Sequence, residues 1–140
     1  MLRIITIVFA LIYPLLQAQA VEAEVAVIIN PKANLDLSNE DIQKLFMAKQ
    51  AFLPNGEKAT IVSIDSSSAL FQEFCAKVVN KGSRQFLSYW SRLIFTGKAA
   101  PMITATSNQD IKELVAKNPN YIGFISAADL DDTVKAVKTY

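Results

Sequence analysis

The chain has 140 residues, 14 Lys and Arg against 13 Asp and Glu, and no histidine. This near-neutral balance excludes the basic face that a nucleic-acid backbone demands. The lack of histidine removes Ser-His and Cys-His nucleophiles and ordinary zinc sites, and the lone cysteine, Cys75, excludes an internal disulfide.

Met1-Leu2-Arg3 sets one positive charge before an almost unbroken apolar run, Ile4 to Leu16. Gln17-Ala18-Gln19-Ala20 then supplies a small-x-small cleavage site. The pattern predicts a secretory signal peptide over residues 1–20, cut after Ala20, and a periplasmic protein. The competing reading, a transmembrane anchor, needs about 20 apolar residues, more than this run offers. No cysteine stands at the cut for a lipid anchor. Arg3 is the only charge in the segment, so residues 21–140 carry 13 basic and 13 acidic side chains. They are expected to form one domain, large enough for a core without staples. With no net charge to draw an anion from a distance, any anion site must be local.

Glu24 to Ile29 reads as a strand apolar enough to be covered on both faces. A helix starts near Ser38, with Asp41 completing a capping box and Leu37 stapled on Ile42; Ile42, Leu45 and Phe46 share its inner face. Pro54-Asn55-Gly56 is a turn, and Thr60 to Ile64 a second strand. Asp65-Ser66-Ser67-Ser68 opens the next helix, whose stripe is Leu70, Phe71, Phe74, Cys75, Val78 and Val79. After Lys81-Gly82, Ser83 is expected to cap a third helix that buries Phe86, Leu87, Trp90, Leu93 and Ile94. A short strand falls in Pro101 to Thr106. Ser107 and Asp110 suggest a second capping box, with Ile111, Leu114 and Val115 inward. Tyr121 to Ile125 is a strand, Ser126 and Asp129 begin a helical turn, and Thr133 to Val137 is a last strand. Strands alternating with helices predict an α/β layer structure with a largely parallel sheet.

Asp65-Ser66-Ser67-Ser68 is the best candidate site. It lies where a strand ends and a helix begins, the edge at which open α/β sheets bind ligands. Free N–H groups and a partial positive charge there suit an anion, and three hydroxyls add donors. The alternative is one capping serine and two facing water. Asp65 repels a bare anion, yet it can accept a hydrogen bond from hydrogen phosphate and so refuse sulfate; equally it can be a solvated turn residue. Asn30 leaves the first strand, expected at the same sheet edge, and either donates to a ligand or forms an Asx-type turn. Lys32 reads as a loop charge. Arg84 and Arg92 are the two arginines beyond residue 20, and Arg92 is the stronger candidate for an oxyanion clamp. Tyr89 and Trp90 could stack a ligand or fill the core. Cys75 sits on an apolar stripe and reads as a buried hydrophobe. Asp129, Asp131 and Asp132 lack the glycine and distal glutamate of a calcium loop and read as a solvated turn. Neither a metal nor a cofactor is expected.

Three segments carry a resemblance. Ile42 to Lys49, with Asn55-Gly56 and Thr60 to Asp65, is similar to the part of phosphate-transporter substrate-binding proteins where a helix ending in Phe-x-Gly-Lys precedes a strand and the phosphate loop. Tyr89-Trp90-Ser91-Arg92-Leu93-Ile94-Phe95-Thr96-Gly97-Lys98 resembles a signature of small exported relatives of those receptors. Pro119 to Ile125 resembles their Pro-Gly-x-Ile-Gly-Tyr strand. The resemblance spans about residues 24–131. It implies one lobe of the type II periplasmic binding fold, three layers with helices on both faces of the sheet, no catalysis, and phosphate or a similar oxyanion as ligand. Ser66, Ser67 and Ser68 fall at its phosphate loop, Asp65 stands in place of an arginine, and Ala48 in place of a glycine. The partner it implies is an ABC-type phosphate transporter. A lobe without ligand capture would instead dock on a membrane transporter or sensor, and a homodimer could supply a missing wall.

Overall fold

A computed structural model describes residues 24–140. The expected signal peptide and its cut at Ala20 lie outside them. Among the described residues no helix is long and apolar enough to cross a membrane.

Five strands form one sheet: β1 (Val25–Ile29), β2 (Thr60–Ile64), β3 (Ile103–Ala105), β4 (Tyr121–Ser126) and β5 (Lys135–Thr139), in the order β3-β2-β4-β1-β5. β2 pairs parallel with both β3 and β4. β1 runs antiparallel to β4 and β5, so four strands share one direction and β1 alone is reversed. Four helices complete the chain: α1 (Asn39–Phe46), α2 (Ala69–Lys77), α3 (Ser83–Phe95) and α4 (Asn108–Lys117). The α/β class, the layers and the mostly parallel sheet are as expected.

The layers follow from strand alternation, which sends neighbouring residues to opposite faces. Phe124 faces α1 and α2: its ring stacks on Phe74 with centroids 3.8 Å apart, and Phe46 meets it edge-on at 6.1 Å. Phe86 of α3 joins this cluster through Phe71 and Phe74. Gly123 faces the other way, under α4. A Cβ there would stand 3.0 Å from Ile111 Cγ2 and 3.2 Å from the Val62 carbonyl oxygen, so only glycine lets α4 lie this close. Gly123→Ala is expected to destabilise by about 1–3 kcal/mol through overpacking, read as a lower urea midpoint; an unchanged midpoint would mean that α4 packs farther out.

Local signals explain the element starts. Ser38 and Asp41 form the full capping box, over a buried Leu37 and Ile42. β1 is buried along its whole length. Other expectations are corrected. Gly82, not Ser83, caps α3, and Ser83 is its first helical residue. Ser107 accepts from the Asp110 amide, but the Asp110 carboxylate reaches the Thr106 amide instead of closing a box on Ser107. α3 buries only Phe86 and Trp90, while Ile94 stands exposed and Leu87 and Leu93 half-buried. Ala48, which replaces a glycine in the resemblance, adopts a left-handed φ of 53° after α1, the conformation that glycine takes at least expense. Cys75 is fully buried, and desolvation pushes its thiol up to about 11, so it is a core residue as expected.

Candidate functional site

β2 leads through α2 and α3 to β3 on one side of it, whereas β4 leads through a short 3-10 turn to β5 on the other. The carboxyl ends of β2 and β4 therefore flank a topological switch point, the crevice where open α/β sheets seat ligands. Asp65-Ser66-Ser67-Ser68 leaves β2 at this crevice. Its residues are exposed except Ser68, which is half-buried.

The turn is built by Asp65. Its Oδ1 accepts from the Ser67 amide at 2.8 Å and from the Ser67 hydroxyl at 2.6 Å, and its carbonyl accepts from the Ser68 amide at 3.0 Å. These bonds to Ser67 hold the Asp65 carboxyl below its ordinary pKa, so it is ionised at neutral pH. Ser68 is the N-cap of α2, its Oγ accepting from the Phe71 amide at 3.1 Å. Its hydroxyl proton stays available to a guest. Among the described bonds, the amides of Ser66, Ala69 and Leu70, the Ser66 hydroxyl and Asp65 Oδ2 have no partner. The three serine hydroxyls and the free N–H groups of the helix start were legible as donors; that the free amides are those of Ala69 and Leu70 follows from Ser68 being the N-cap.

The neighbouring strand ends add polar groups. Asn108, at the start of α4, accepts at Oδ1 from the Ser126 amide and donates from Nδ2 to Asp129 at 2.6 Å. Lys112, buried to 8 % exposure, donates to Asp131 Oδ2 at 2.7 Å, and Thr133 donates from its amide and hydroxyl to Asp131 Oδ1. Asp129 and Asp131 are thus engaged in tying the chain down while Asp132 is exposed, and the described residues hold no His, Cys, Asp or Glu group suited to a metal. Lys112 and Thr133 hold the Asp131 carboxyl down at about 2. Its contribution to stability is complete above the ordinary 3.8 and is lost as pH falls toward 2. Carboxyl NMR is expected to find Asp131 titrating near 2, and Asp131→Asn to flatten acid unfolding over that range. An ordinary titration would contradict the contact.

Two candidates are not brought here. Asn30 lies at the opposite edge, because β1 runs against β4 and the β-α-β pattern leaves the direction of a first strand open. It is 2 % exposed; its Nδ2 donates to the Val115 and Ala116 carbonyls at 3.0 and 2.8 Å, and its Oδ1 accepts from the Lys32 amide. The Asx-type turn is therefore the reading that holds. Arg92 is exposed on the last turns of α3, and nearby Trp90 lines a depression with Thr60 and Ile61 at the amino end of β2. The length of β2, about 16 Å, separates that end from Asp65. Arg84 and Lys32 are exposed as well. Tyr89 OH and Trp90 Nε1 donate to the Met47 and Phe46 carbonyls, at 2.6 and 2.9 Å, satisfying the end of α1 away from the serine turn.

Fold comparison shows which architecture this is. An ABC-type phosphate transport receptor from Vibrio cholerae aligns with a TM-score of 0.57 over 83% of this chain and 46% of its own, at 21% identity. A Clostridium perfringens protein with bound phosphate, assigned as a phosphate ABC transporter substrate-binding protein, aligns at 0.61 over 83% and 45%, at 22% identity. The fold is that of one lobe of a phosphate receptor. A phosphate-binding-type protein of Planctomyces limnophilus gives 0.59, over 83% of this chain and 42% of its own, at 18% identity. The chain spans less than half the length of these proteins. They are binding proteins rather than enzymes. No family model matches the sequence, and no curated protein does.

Proposed function

We propose that this protein is an exported, periplasmic, non-enzymatic receptor lobe that seats hydrogen phosphate or a related protonated oxyanion at Ser66–Ser68, in connection with ABC-type phosphate uptake. On this reading residues 1–20 are removed and residues 21–140 act as one domain. The observation that carries it is the first turn of α2. Unpartnered amides of Ala69 and Leu70 and the hydroxyls of Ser66 and Ser68 stand beside a carboxylate oxygen, Asp65 Oδ2, that also lacks a partner. Donors hold the anion's oxygens and the carboxylate accepts a hydrogen bond from its O–H. The likeness to proteins named as phosphate receptors supports the same choice of ligand.

One specific observation favours a second reading. Asp65 Oδ1 already fills the Ser67 amide and hydroxyl, where a guest's oxygen would otherwise go. The lobe would then dock on a membrane transporter or sensor without capturing a ligand. A second copy of the chain closing over the crevice would restore the first reading by adding a wall.

A thermal shift panel with phosphate, organic phosphates and sulfate separates the readings. Phosphate at 100 times its Kd should stabilise by about 2.7 kcal/mol, a rise on the order of 10 °C. Ser68→Ala should abolish that rise while lowering the ligand-free stability by about 1 kcal/mol through the lost cap. A flat response to every anion supports docking.

A further inference from the structure

At the edge opposite the oxyanion seat, the sheet leaves a depression of about 360 Å³. It opens because β3 pairs with β2 only from Val62 onward and Pro101, which has no N–H, ends the ladder there. Its lining is mostly apolar, with five alanines (Ala48, Ala51, Ala59, Ala99 and Ala100) beside Leu45, Ile61 and Trp90, and Gln50 and Thr60 add neutral polar groups. Lys58 and Lys98 also line it, both exposed, and neither makes an ion pair among the described residues. No carboxylate lines it. Around an otherwise neutral chain, this is a local excess of positive charge against an apolar cup. Its volume falls in the range of small-molecule sites, about 300–1,000 Å³.

We propose that this depression binds a free organic anion with an apolar body, such as a medium-chain carboxylate. The head group is held by Lys58 and Lys98, and the chain lies over the alanine floor against Trp90. The charge sign selects an anion, and the alanines select an aliphatic or flat body over a branched one. The inference is independent of the oxyanion seat, which lies at the other end of β2.

Trp90 is the chain's one tryptophan, so intrinsic fluorescence reports this wall directly. The probe is octanoate below its micelle concentration, titrated into the purified protein, with its uncharged amide as control and amide NMR shifts as a map. The expected result is saturable change of Trp90 emission and shifts confined to residues 48–51, 58–61 and 98–101. The double variant Lys58→Gln/Lys98→Gln should raise Kd at least about tenfold, and octanamide should bind as weakly as the variant does octanoate. Shifts at residues 65–70, an unchanged Kd in the double variant, or a response only to anionic vesicles would each overturn the assignment.

Discussion

Replacing Phe74 with alanine is expected to cost about 3–5 kcal/mol, lowering Tm by upwards of about 10 °C. Phe74 is fully buried, stacked on Phe124 at 3.8 Å and edge-on to Phe46 and Phe86 at 4.8 and 5.7 Å. It is the one ring that joins α1, α2, α3 and β4. Removing it forfeits the transfer energy of a large side chain and leaves a cavity that three differently oriented rings cannot close together. The loss is a large share of the 5–15 kcal/mol typical of a folded domain. It also loosens α2, whose first turn carries the proposed seat, so the phosphate response should weaken with it. Urea unfolding measures the first effect; a loss below about 1 kcal/mol would contradict the packing described.

Asn30→Ala is expected to destabilise by about 2–3 kcal/mol and to leave the oxyanion response unchanged. The amide caps the carboxyl end of α4 by donating to two carbonyls; its removal takes the side-chain partner from the Ala116 oxygen and leaves the Val115 oxygen with only the long 3.4 Å bond from the Asn118 amide. Each lost partner of a buried polar group is worth about 1–3 kcal/mol. Because Asn30 lies at the opposite edge from Ser68, the midpoint of a phosphate titration should not move. The reverse pattern, normal stability with a lost phosphate response, would return Asn30 to the binding site.

The order of elements was legible because periodicity, turn residues and caps agree along the chain. Ser38 with Asp41, the stripe of Phe71, Phe74 and Cys75, and the buried run Val25–Ile29 are local signals, and the structure follows them. Strand direction is not local. The reversal of β1 comes from which neighbours it pairs with, and it carried Asn30 to the far edge. The same limit applies to Arg92, whose helix was legible but whose end of the sheet was not. Gly82 displaced Ser83 as cap because an N-cap without a side-chain bond is tolerated when the helix face beyond it packs well, here through Phe86 and Trp90. Within the candidate site, the serine run could be read from sequence. The closing of Asp65 onto Ser67 could not, since a carboxylate two residues before a serine either turns back or faces water with little difference in local signal. That contact decides the electrostatics of the seat: it places a permanent negative charge in the turn where the anion would settle.

The most direct test is calorimetric titration of phosphate and of sulfate into the wild-type protein and into Asp65→Asn at neutral pH. Wild type is expected to bind phosphate, through its protonated form, and to refuse sulfate, which has no proton for Asp65 Oδ2. Asp65→Asn removes the charge while keeping an acceptor for Ser67, so sulfate should begin to bind and phosphate should lose its advantage. Absence of heat from either anion in both proteins would contradict a seat at the start of α2.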